Sequence, residues 1–473
     1  MAQSFLHFSD LMQTKTSSFL RRPSQLIRGI NVNGDEIGSL QKRLGYTQFG
    51  ATLTSGKDIT GLHSYPYKAG GTQHLFAYVN GVLKYYNGSW ADSQGSLTTD
   101  INAEFRVHLD QLFMVGANSS NTFLTTAVIT DTTYATDGNV TNAPNGKFVE
   151  IYNDQVFIAN AEVGGVRYPS NFYRSSVPTI AGVITWDTTI DYEQVYTNNG
   201  EEITSLHNNQ GLNKLLIFKR SSIHSWDTYR INDIWNVGTT AHRSVQTIEG
   251  VTFFYNSDRK KIYAYNGETV KSISRPIDNW IKGIQNPSDV FGGGHEEFYK
   301  LYVGDIVVEG ITYTNCEIRY SEPDNTFVIY SYYDNFTSYA THSVSDVSRL
   351  YAGADDGEVH QLAIDGDEVY SDDDHDIGAQ FLFETDFGVP TERKFSDKIL
   401  IYSTQAQNLT GRIRGRGKDW SSQFSVDKDE QEKNINPKDS RFVQFHFSES
   451  SMNAPFKFEG ISLTPKLTTK KYS

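Results

Sequence analysis

The chain has little of several features that usually indicate a fold or a cellular compartment. Its 473 residues include one cysteine, Cys316, which excludes an internal disulfide framework and fits assembly in a reducing cytoplasm. No apolar run approaches the roughly 18 residues that a membrane-spanning helix needs. The N-terminus lacks the basic start and apolar core of a signal peptide. No long amphipathic helix is evident either, and the best helical candidate is the short segment Pro276–Ile284. We therefore expect a chain that folds without disulfides, long helices or a membrane span.

Positive charge is also scarce. Lys and Arg number 42 against 56 Asp and Glu, which gives a formal net charge of −14. This balance argues against a protein that binds nucleic acid by neutralising phosphates. It fits either simple solubility or a surface past which DNA slides without adhering.

Basic residues are nevertheless concentrated near the N-terminus, in the extended, turn-rich segment Ser17–Tyr46. They are Arg21, Arg22, Arg28, Lys42 and Arg43. We interpret residues 1–50 as an N-terminal arm and these five residues as candidate assembly contacts, because opposite charge steers and registers partners. The alternative is a surface lead-in that has no partner. On the first interpretation, removing residues 1–45 leaves a folded chain that cannot assemble.

Aromatic residues, in contrast, are abundant at 13% of the chain, and many occur in a repeated phrase. The phrase is plainest at Leu75–Trp90 and Thr252–Gly267, where an apolar-aromatic run, a turn and a second run end in Tyr-Asn-Gly. Looser copies are Lys214–Trp226, Val149–Asn160 and Arg349–Leu362. Aromatic and β-branched residues favour strands, and Asn-Gly favours tight hairpin turns. Antiparallel meanders repeated at intervals of tens of residues predict an all-β fold, a β-propeller of five to seven blades.

The residue pattern of the sequence changes after the last meander. The acidic run Asp365–Asp376 separates a propeller over residues 51–365 from a C-terminal β-sandwich-like unit over residues 366–473. This run, with His375, could offer oxygen ligands to a hard cation. It lacks the fixed spacing of a calcium loop, so we interpret it as a solvated linker and predict no metal site.

Residue patterns that carry enzymatic chemistry are not present. There is no GxxxxGK[ST], GxSxG, HExxH or Rossmann fingerprint. With 56 acidic residues, a pair of carboxylates of the kind that glycosidases use is uninformative by itself. Four histidines lie within or beside strand patterns and are interpreted as structural: His63, His74, His108 and His224. We therefore expect no catalytic residue and no cofactor, and a chain that is not an enzyme.

Several phrases resemble bacteriophage tail propeller proteins. The opening Arg28-Gly29-Ile30-Asn31, followed by Gly38–Tyr46 (GSLQKRLGY), resembles the segment that precedes their first blade. Further phrases are similar to a middle blade, a late blade and the C-terminal strands of the same group: Lys261–Gly267 with Ser272–Ile277, Asp355–His360, and Asp386-Phe387-Gly388 with Lys394 and Lys398–Tyr402. The resemblance implies the tail nozzle family of short-tailed phages, also called tail tubular protein B.

The resemblance also implies partners and a location. In that family six copies form a ring below the portal and adaptor, so the expected partners are further copies of this chain, head-to-tail connector proteins and other tail proteins. Genomic DNA is expected to pass through without specific binding, and the location is the virion tail after assembly in the host cytoplasm. The chain is short for the family, which leaves a simpler stopper-like connector ring open. The main alternative is a carbohydrate-binding or carbohydrate-cleaving propeller used in host adsorption, and a third is an internal or decorating virion protein.

Overall fold

The structure is a computed structural model that describes most of the chain. The described residues are 4–6, 10–12, 25–34, 39–135, 142–179, 183–195, 200–295, 297–322, 324–344, 347–364, 366–385, 394–395, 398–404, 408–415, 418–434, 442–451, 455–463 and 466–467. Within them, helix is limited to α1, Asp278–Lys282, and to three 3-10 turns at Gln210–Leu212, His242–Ser244 and Arg275–Ile277. The all-β expectation is confirmed, and α1 lies inside the segment Pro276–Ile284. No helix of the described part is long and apolar enough to cross a membrane.

Five four-stranded antiparallel sheets follow one another along the chain, each made from one continuous stretch. Sheet 1 comprises Ile59–Tyr67, Thr72–Val79, Val82–Tyr86 and Trp90–Gln94, and sheet 2 comprises Asn102–His108, Gln111–Ala117, Ala127–Thr130 and Thr133–Ala135. Sheet 3 comprises Asn145–Tyr152, Gln155–Val163, Val166–Arg174 and Tyr192–Gln194, and sheet 4 comprises Ile203–Asn209, Lys214–Lys219, Ile223–Trp226 and Ile231–Trp235. Sheet 5 comprises Gln246–Ile248, Val251–Asn256, Lys261–Tyr265 and Val270–Ser272.

Tight turns explain why these stretches fold into meanders. Asn80 and Gly81 have φ angles of 47° and 75°, and Asn153 and Asp154 have φ angles of 47° and 56°. Positive φ at both central residues is what a type I′ hairpin turn requires, and its twist matches that of the strands it joins. The Asn-Gly and Asn-Asp pairs therefore set the hairpins at these positions.

The next two sheets are completed by strands from the N-terminal region. Sheet 6 comprises Phe291–His295, Phe298–Val308, Ile311–Ser321 and Thr326–Ser331, and Gln25–Ile30 continues it through a parallel pairing of Ile30 with Ile329. Sheet 7 comprises Phe336–Val344, Val347–Ala354, Val359–Leu362 and, as its fourth strand, Tyr46–Gln48. The short hairpin of Ser371–Asp372 and His375–Asp376 extends sheet 7 beyond Tyr46–Gln48.

The seven sheets contact one another in chain order, and sheet 7 returns to sheet 1. Hydrogen bonds between the sheets mark this ring. They are Asn208 Nδ2 to Ile151 O at 2.8 Å, Asn209 Nδ2 to Gly250 O at 2.9 Å, Gln246 Nε2 to Gly292 O at 3.2 Å, Thr341 Oγ1 to Gly294 O at 3.2 Å, and Ser338 Oγ to Ile59 O at 2.7 Å. The ring therefore closes on itself through the contact between sheets 7 and 1.

Apolar clusters fill the junctions between neighbouring sheets, so strands bury both faces. In sheet 4, Leu215 and Ile217 pack with residues of sheet 3, whereas Leu216 and Phe218 pack with residues of sheet 5. All four side chains are fully buried. This two-sided burial explains why such runs are continuously apolar instead of alternating.

The C-terminal region forms a unit of two sheets that pack face to face. One is continuous with sheet 6 and contains Asp10–Met12, Gln25–Ile30, Ala379–Thr385, Val443–Glu449, Leu409–Gly415 and Phe424–Val426. The other contains Ser4–Leu6, Val32–Asn33, Leu40–Lys42, Lys457–Leu463, Lys398–Thr404 and Glu430–Asn434, and Lys394–Phe395 pairs separately with Lys466–Leu467. The rings of Phe381 and Phe447 lie 4.9 Å and 4.7 Å from the ring of Phe458 across the interface.

The segment expected to be an N-terminal arm is therefore paired with the rest of the chain wherever the structure describes it. Leu26, Ile30, Val32 and Leu40 are buried in the core of the C-terminal unit. Their burial, and the pairing of Tyr46–Gln48 with sheet 7, gives residues 25–34 and 39–48 a role inside the fold.

Candidate functional site

Two of the five basic residues proposed as assembly contacts are buried inside the chain. Arg43 is 1% exposed, and its guanidinium donates to both carboxylate oxygens of Asp372, at 2.8 Å and 2.5 Å. It also donates to Asn31 Oδ1 and to Ser331 O, each at 2.8 Å, and lies 4.4 Å from the ring centre of Tyr332. Burial by itself lowers the pKa of Arg43, but the charge and hydrogen bonds of Asp372 outweigh it and raise the pKa above its usual value.

Lys42 lies in a similar environment. Its Nζ donates to Glu449 Oε2 at 2.7 Å and to Ser451 O at 2.8 Å, and both charged side chains of the ion pair are fully buried. Arg28 pairs with Glu309 at 3.2 Å and is about a quarter exposed, while Arg21 and Arg22 lie outside the described residues. Lys42 and Arg43 thus hold the N-terminal region against the C-terminal unit and sheet 7. The assembly role of the five residues stays a prediction.

A charged site lies in the middle of the ring of sheets. The first strands of all seven sheets, together with the 3-10 turn His242–Ser244, line a cavity of about 630 Å³. Its charged residues are Glu104, Arg106, Glu150 and Arg243, accompanied by three histidines, His63, His207 and His242. Glu104 and Arg106 lie two residues apart on one strand and therefore point to the same side of their sheet.

These charges are paired across neighbouring sheets. Arg106 of sheet 2 forms a two-pronged ion pair with Glu150 of sheet 3, at 2.9 Å and 3.0 Å. Glu104 Oε1 lies 3.2 Å from His242 Nε2. Burial raises the pKa of Glu104, but the hydrogen bond and charge of His242, with Arg106 and Arg243 nearby, lower it overall. Glu104 is therefore ionised at neutral pH.

Arg243 closes the cavity on the side of sheets 6 and 7. It donates to Thr337 O at 2.8 Å and lies over the ring of Phe291, 5.2 Å from its centre. Burial lowers the pKa of Arg243, although a guanidinium remains protonated throughout the physiological range. The cavity thus contains two carboxylates, Glu104 and Glu150, against two guanidiniums, Arg106 and Arg243.

Two of the cavity histidines are neutral. His63 stacks on Phe105 with ring centres 5.8 Å apart, and His207 Nε2 lies 2.7 Å from Thr247 Oγ1. Burial, reinforced for His63 by the charge of Arg106, lowers its pKa to about 3, and burial lowers that of His207 to about 4. His63 was expected to be structural, and the structure places it on the cavity wall.

The other histidines interpreted as structural are buried away from the cavity. His74 Nε2 lies 2.9 Å from Asp131 Oδ1, and His224 Nδ1 lies 2.6 Å from Asp233 Oδ1. His108 is 7% exposed. Their positions within strands agree with the sequence pattern.

The cavity has the size of a small-molecule pocket, since such pockets measure about 300–1,000 Å³. It is too small for duplex DNA, whose major groove alone is about 12 Å wide. Its charges balance, with two carboxylates against two guanidiniums.

Exposed apolar side chains form a second feature, on the outer strands of sheets 3 and 4 and on their connecting loops. Eight of the thirteen large apolar residues that are exposed in the described part lie between positions 166 and 235. They are Val166, Tyr168, Val177, Val183, Ile190, Tyr192, Tyr229 and Trp235. Asn153 Nδ2, in the turn between the first two strands of sheet 3, donates at 2.8 Å to Thr228 Oγ1, in the turn between the last two strands of sheet 4. We call this set the sheet 3–4 surface.

Sequence reasoning did not single out the charged cavity residues or this surface. The available signal was weak: Glu104 and Arg106 are polar positions of the alternating strand Asn102–His108, and such strands also occur at solvent-exposed edges. No known protein family matches the sequence of the chain, and no curated protein matches it either.

Proposed function

We propose that this chain is a structural subunit of a phage tail, built on a seven-bladed β-propeller, that forms a hexameric nozzle or connector ring below the portal and adaptor. Five four-stranded sheets and two larger sheets, each of which contains a four-stranded set, support a blade count at the upper end of the expected five to seven. The pairing of Tyr46–Gln48 with Val359–Leu362 supports a ring closed by joining the two ends of the propeller sequence. The ring of subunits conducts and retains genomic DNA and has no catalytic role.

The observation that carries this proposal is the sheet 3–4 surface. Exposed apolar groups concentrated on two neighbouring sheets are candidates for an interaction site, because burying them removes apolar area from water. Tyr229 is 90% exposed and Trp235 is 46% exposed, and both residue types are enriched at protein interfaces. We assign this surface to a second copy of the chain. In a cyclic ring it meets a different face of the neighbour, as head-to-tail interfaces require.

The negative net charge of the chain supports a ring through which DNA passes without adhering. Each copy carries a formal charge of −14, so six copies carry 6 × −14, or −84. DNA passing through the centre of such a ring has few cations to neutralise its phosphates and therefore adheres weakly. The volume of the central cavity supports placing the passage on the axis of the hexamer instead of within one chain.

The interface can be tested with the double variant Tyr229→Ser and Trp235→Ser. We expect it to fold like the wild type, because both side chains are exposed, but to enter phage particles poorly. The matched control is Ile311→Ser with Val347→Ser, which are 45% and 41% exposed and lie outside the sheet 3–4 surface. Equal incorporation of both double variants would show that this surface makes no subunit contact.

The conduit role is tested with particles assembled with and without the protein, scored separately for DNA retention and for attachment to host cells. We expect particles without the protein to lose or fail to deliver their DNA. Purified protein should bind duplex DNA negligibly at physiological salt and release no sugar from host glycans. Particles that keep their DNA but no longer attach to cells would overturn the proposal in favour of host adsorption.

One observation favours host adsorption as a second candidate. The central cavity has the volume of a ligand pocket, and its wall offers hydrogen-bonding groups such as Asn208 and Gln246. We expect a carbohydrate bound in the cavity to shield the Arg106–Glu150 ion pair from solvent and to raise the temperature of the unfolding midpoint. Titration calorimetry of the purified chain with host surface glycans checks this, and a measurable affinity would favour the adsorption protein.

A further inference from the structure

A cluster of metal-ligating side chains lies where Tyr46–Gln48 closes sheet 7, and we call it the seam cluster. Asp334 comes from the connection between sheets 6 and 7, and Asp356 and Glu358 come from the turn before the strand Val359–Leu362. His360 lies on that strand, and Asp373 lies in the turn of the hairpin that extends sheet 7. The chain thus brings five potential ligands together from three separate segments.

Distances within the seam cluster fit a bound ion. One ligand atom each from Asp334, Asp356 and His360 lie within 4.8 Å of one another, and the same holds for Glu358, His360 and Asp373. Ligand atoms about 2.1 to 2.5 Å from a cation are separated by at most about 4 to 5 Å. Each set of three side chains therefore needs little movement to hold an ion, and His360 is common to both sets.

His360 provides a second observation. Its side chain is fully buried, and neither ring nitrogen makes a hydrogen bond within the described part of the chain. Nε2 lies within ion-pair distance of Asp334 Oδ2, at 3.4 Å, but the two atoms are not hydrogen bonded. Leaving a buried polar nitrogen without a partner is costly, so such a group in a native fold calls for an explanation. A metal ion bound to the imidazole supplies the missing partner.

The ring of His360 is held in place by aromatic contacts. The ring centre of Tyr46 lies 4.9 Å away in an edge-on arrangement, and that of Phe336 lies 5.9 Å away. These contacts fix the direction of the ring nitrogens, as a pre-organised ligand requires.

The carboxylates are oriented as well, each by a hydrogen bond from a neighbouring group. Asp334 Oδ2 accepts from the Tyr46 hydroxyl at 2.8 Å, and Glu358 Oε1 accepts from Thr52 Oγ1 at 2.7 Å. Asp356 Oδ1 accepts from the backbone N of Glu358 at 3.0 Å, and Asp373 Oδ1 accepts from the backbone N of Gln48 at 3.2 Å. Outer hydrogen bonds of this kind are typical of metal sites, because they aim the ligand atoms.

Negative charge at the seam cluster is not neutralised by basic side chains. All four carboxylates are half-buried, and none forms an ion pair with Lys or Arg within the described part of the chain. The other acidic residue of this hairpin that is buried, Asp372, is paired with Arg43. Four like charges around one imidazole are best compensated by a cation.

We propose that the seam cluster binds one divalent transition-metal cation of the Mn²⁺ or Zn²⁺ type. Carboxylate oxygens suit Mg²⁺, Ca²⁺ and Mn²⁺, whereas imidazole suits Zn²⁺ and other transition metals. A set of one imidazole and several carboxylates therefore favours Mn²⁺ or Zn²⁺ over Ca²⁺, which takes six to eight oxygen ligands. The ion ties together the two segments that flank sheet 7 and the strand that closes it, through Tyr46 and Gln48.

The test is metal binding by the purified full-length chain after treatment with EDTA. Titration calorimetry with MnCl₂ and ZnCl₂, compared with MgCl₂ and CaCl₂, should give one ion per chain for Mn²⁺ or Zn²⁺. The affinity should exceed that for Mg²⁺ and Ca²⁺ by at least about tenfold. At saturation the unfolding midpoint should rise by at least about 3 °C, since an ion that binds only the folded state stabilises it.

Variants separate binding from folding. Asp356→Asn and His360→Gln should each weaken binding at least about tenfold and abolish the metal-dependent rise in the unfolding midpoint. Asp356→Asn also removes one of four like charges, so without metal its midpoint should equal or exceed that of the wild type. The matched control Asp374→Asn removes an exposed carboxylate next to Asp373 and should leave binding unchanged.

Three results would overturn the proposal: binding well below one ion per chain, equal binding by wild type and Asp356→Asn, or equal loss in the Asp374→Asn control. A preference for Ca²⁺ over both Mn²⁺ and Zn²⁺ would overturn the assigned metal class.

Discussion

Sheets 1 to 5 and sheets 6 and 7 have the same four-stranded meander, but they are assembled differently. Every strand of sheets 1 to 5 pairs with a neighbour in sequence, whereas sheet 6 is continued by Gln25–Ile30 and sheet 7 is completed by Tyr46–Gln48. The first group depends on local turns such as Asn80-Gly81. The second depends on pairings between residues about 300 positions apart, such as Gln48 with His360.

This difference places the long-range interactions of the chain at one side of the molecule. The buried ion pairs Lys42–Glu449 and Arg43–Asp372 both lie there, as does the seam cluster. Loop-closure entropy must be overcome before such contacts form, so they are made late and need strong local interactions to persist. Buried ion pairs determine which segments pair at this seam, whereas turn residues determine the strand pairing in sheets 1 to 5.

Among the tests of this comparison, removing residues 1–45 should have the largest effect on the stability of the fold. The deletion takes Leu26, Ile30 and Leu40 out of the core and leaves Glu449 and Asp372 buried without their cationic partners. We expect aggregation or loss of protection from hydrogen exchange in sheets 6 and 7 and in the C-terminal unit. This differs from the sequence-based expectation of a folded but assembly-deficient chain.

The control for this deletion removes residues 1–9 alone, which takes away the described strand Ser4–Leu6 and leaves the buried residues of 25–45 in place. It should fold with an unfolding midpoint near that of the full chain. A cooperative, wild-type-like unfolding transition after removal of residues 1–45 would show that the N-terminal strands are dispensable for the fold.

Breaking the Arg43–Asp372 pair should have the next largest effect. Arg43→Met leaves the carboxylate of Asp372 buried without its partner, which costs about 3–5 kcal/mol of the free energy of unfolding. The comparison is Arg220→Met, whose partner Asp258 lies 2.7 Å away on the surface of sheets 4 and 5. That change should have no measurable effect on urea unfolding, and a similar loss in both variants would contradict the assignment of the seam pair as structural.

Removing one tyrosine hydroxyl from the seam can be compared with removing one from a locally formed sheet. The Tyr46 hydroxyl donates to Asp334 Oδ2 and accepts from Asp334 N at 3.0 Å, whereas the Tyr265 hydroxyl makes one bond, to Gly267 O at 3.0 Å. We expect Tyr46→Phe to cost about 1–3 kcal/mol and Tyr265→Phe about 0.5–1.5 kcal/mol. Chemical denaturation measures both, and a larger loss for Tyr265→Phe would reverse the comparison.

The smallest expected effect is a pH dependence that belongs to sheets 1 to 5. The folded-state pKa values of His63 and His207, about 3 and about 4, lie below the value of about 6.5 in an unfolded chain. Their stabilising contribution is therefore complete above pH 6.5 and is lost as the pH falls towards 4.

Replacing His207 by Gln should flatten the fall in unfolding midpoint between pH 6.5 and 4. His375→Gln, an exposed histidine of the hairpin beyond sheet 7, should not change it. A profile unchanged by His207→Gln would show that the cavity histidines do not contribute to the acid sensitivity of the fold.

The sequence was sufficient to predict features that depend on local chemistry. The phrase Thr252–Gly267 contains the strands Val251–Asn256 and Lys261–Tyr265 nearly in full, because its aromatic runs and turn residues specify a hairpin without outside help. The stretch Thr130–Gly146 has no apolar period, which by itself favours an exposed loop, but it contains the strand Thr133–Ala135. This edge strand is short and pairs with Ala127–Thr130. Its residues do not alternate between apolar and polar, so the sequence pattern does not predict a strand there.

Features that depend on distant partners could not be predicted in this way. Arg43 and Lys42 have the composition of a surface segment, and only the position of Asp372 and Glu449 in the fold makes them buried ion pairs. Similarly, Asp373 belongs to a run expected to be a solvated linker, while His360 lies 13 residues earlier on a strand. Their proximity follows from the register of Tyr46–Gln48 between the two segments.

The closing strand also has a consequence for the order of events on the ribosome. Tyr46–Gln48 leaves the ribosome early, but its partner strand Val359–Leu362 is made about 310 residues later. At a synthesis rate of about 5–20 residues per second, the N-terminal segment waits roughly 15 to 60 s with an unpaired edge. Sheets 1 to 5 can fold during this interval, since each needs only its own stretch of chain. The nascent protein is therefore an open arc until translation of sheet 7 is complete, and the ring can close only after Val359–Leu362 has been made.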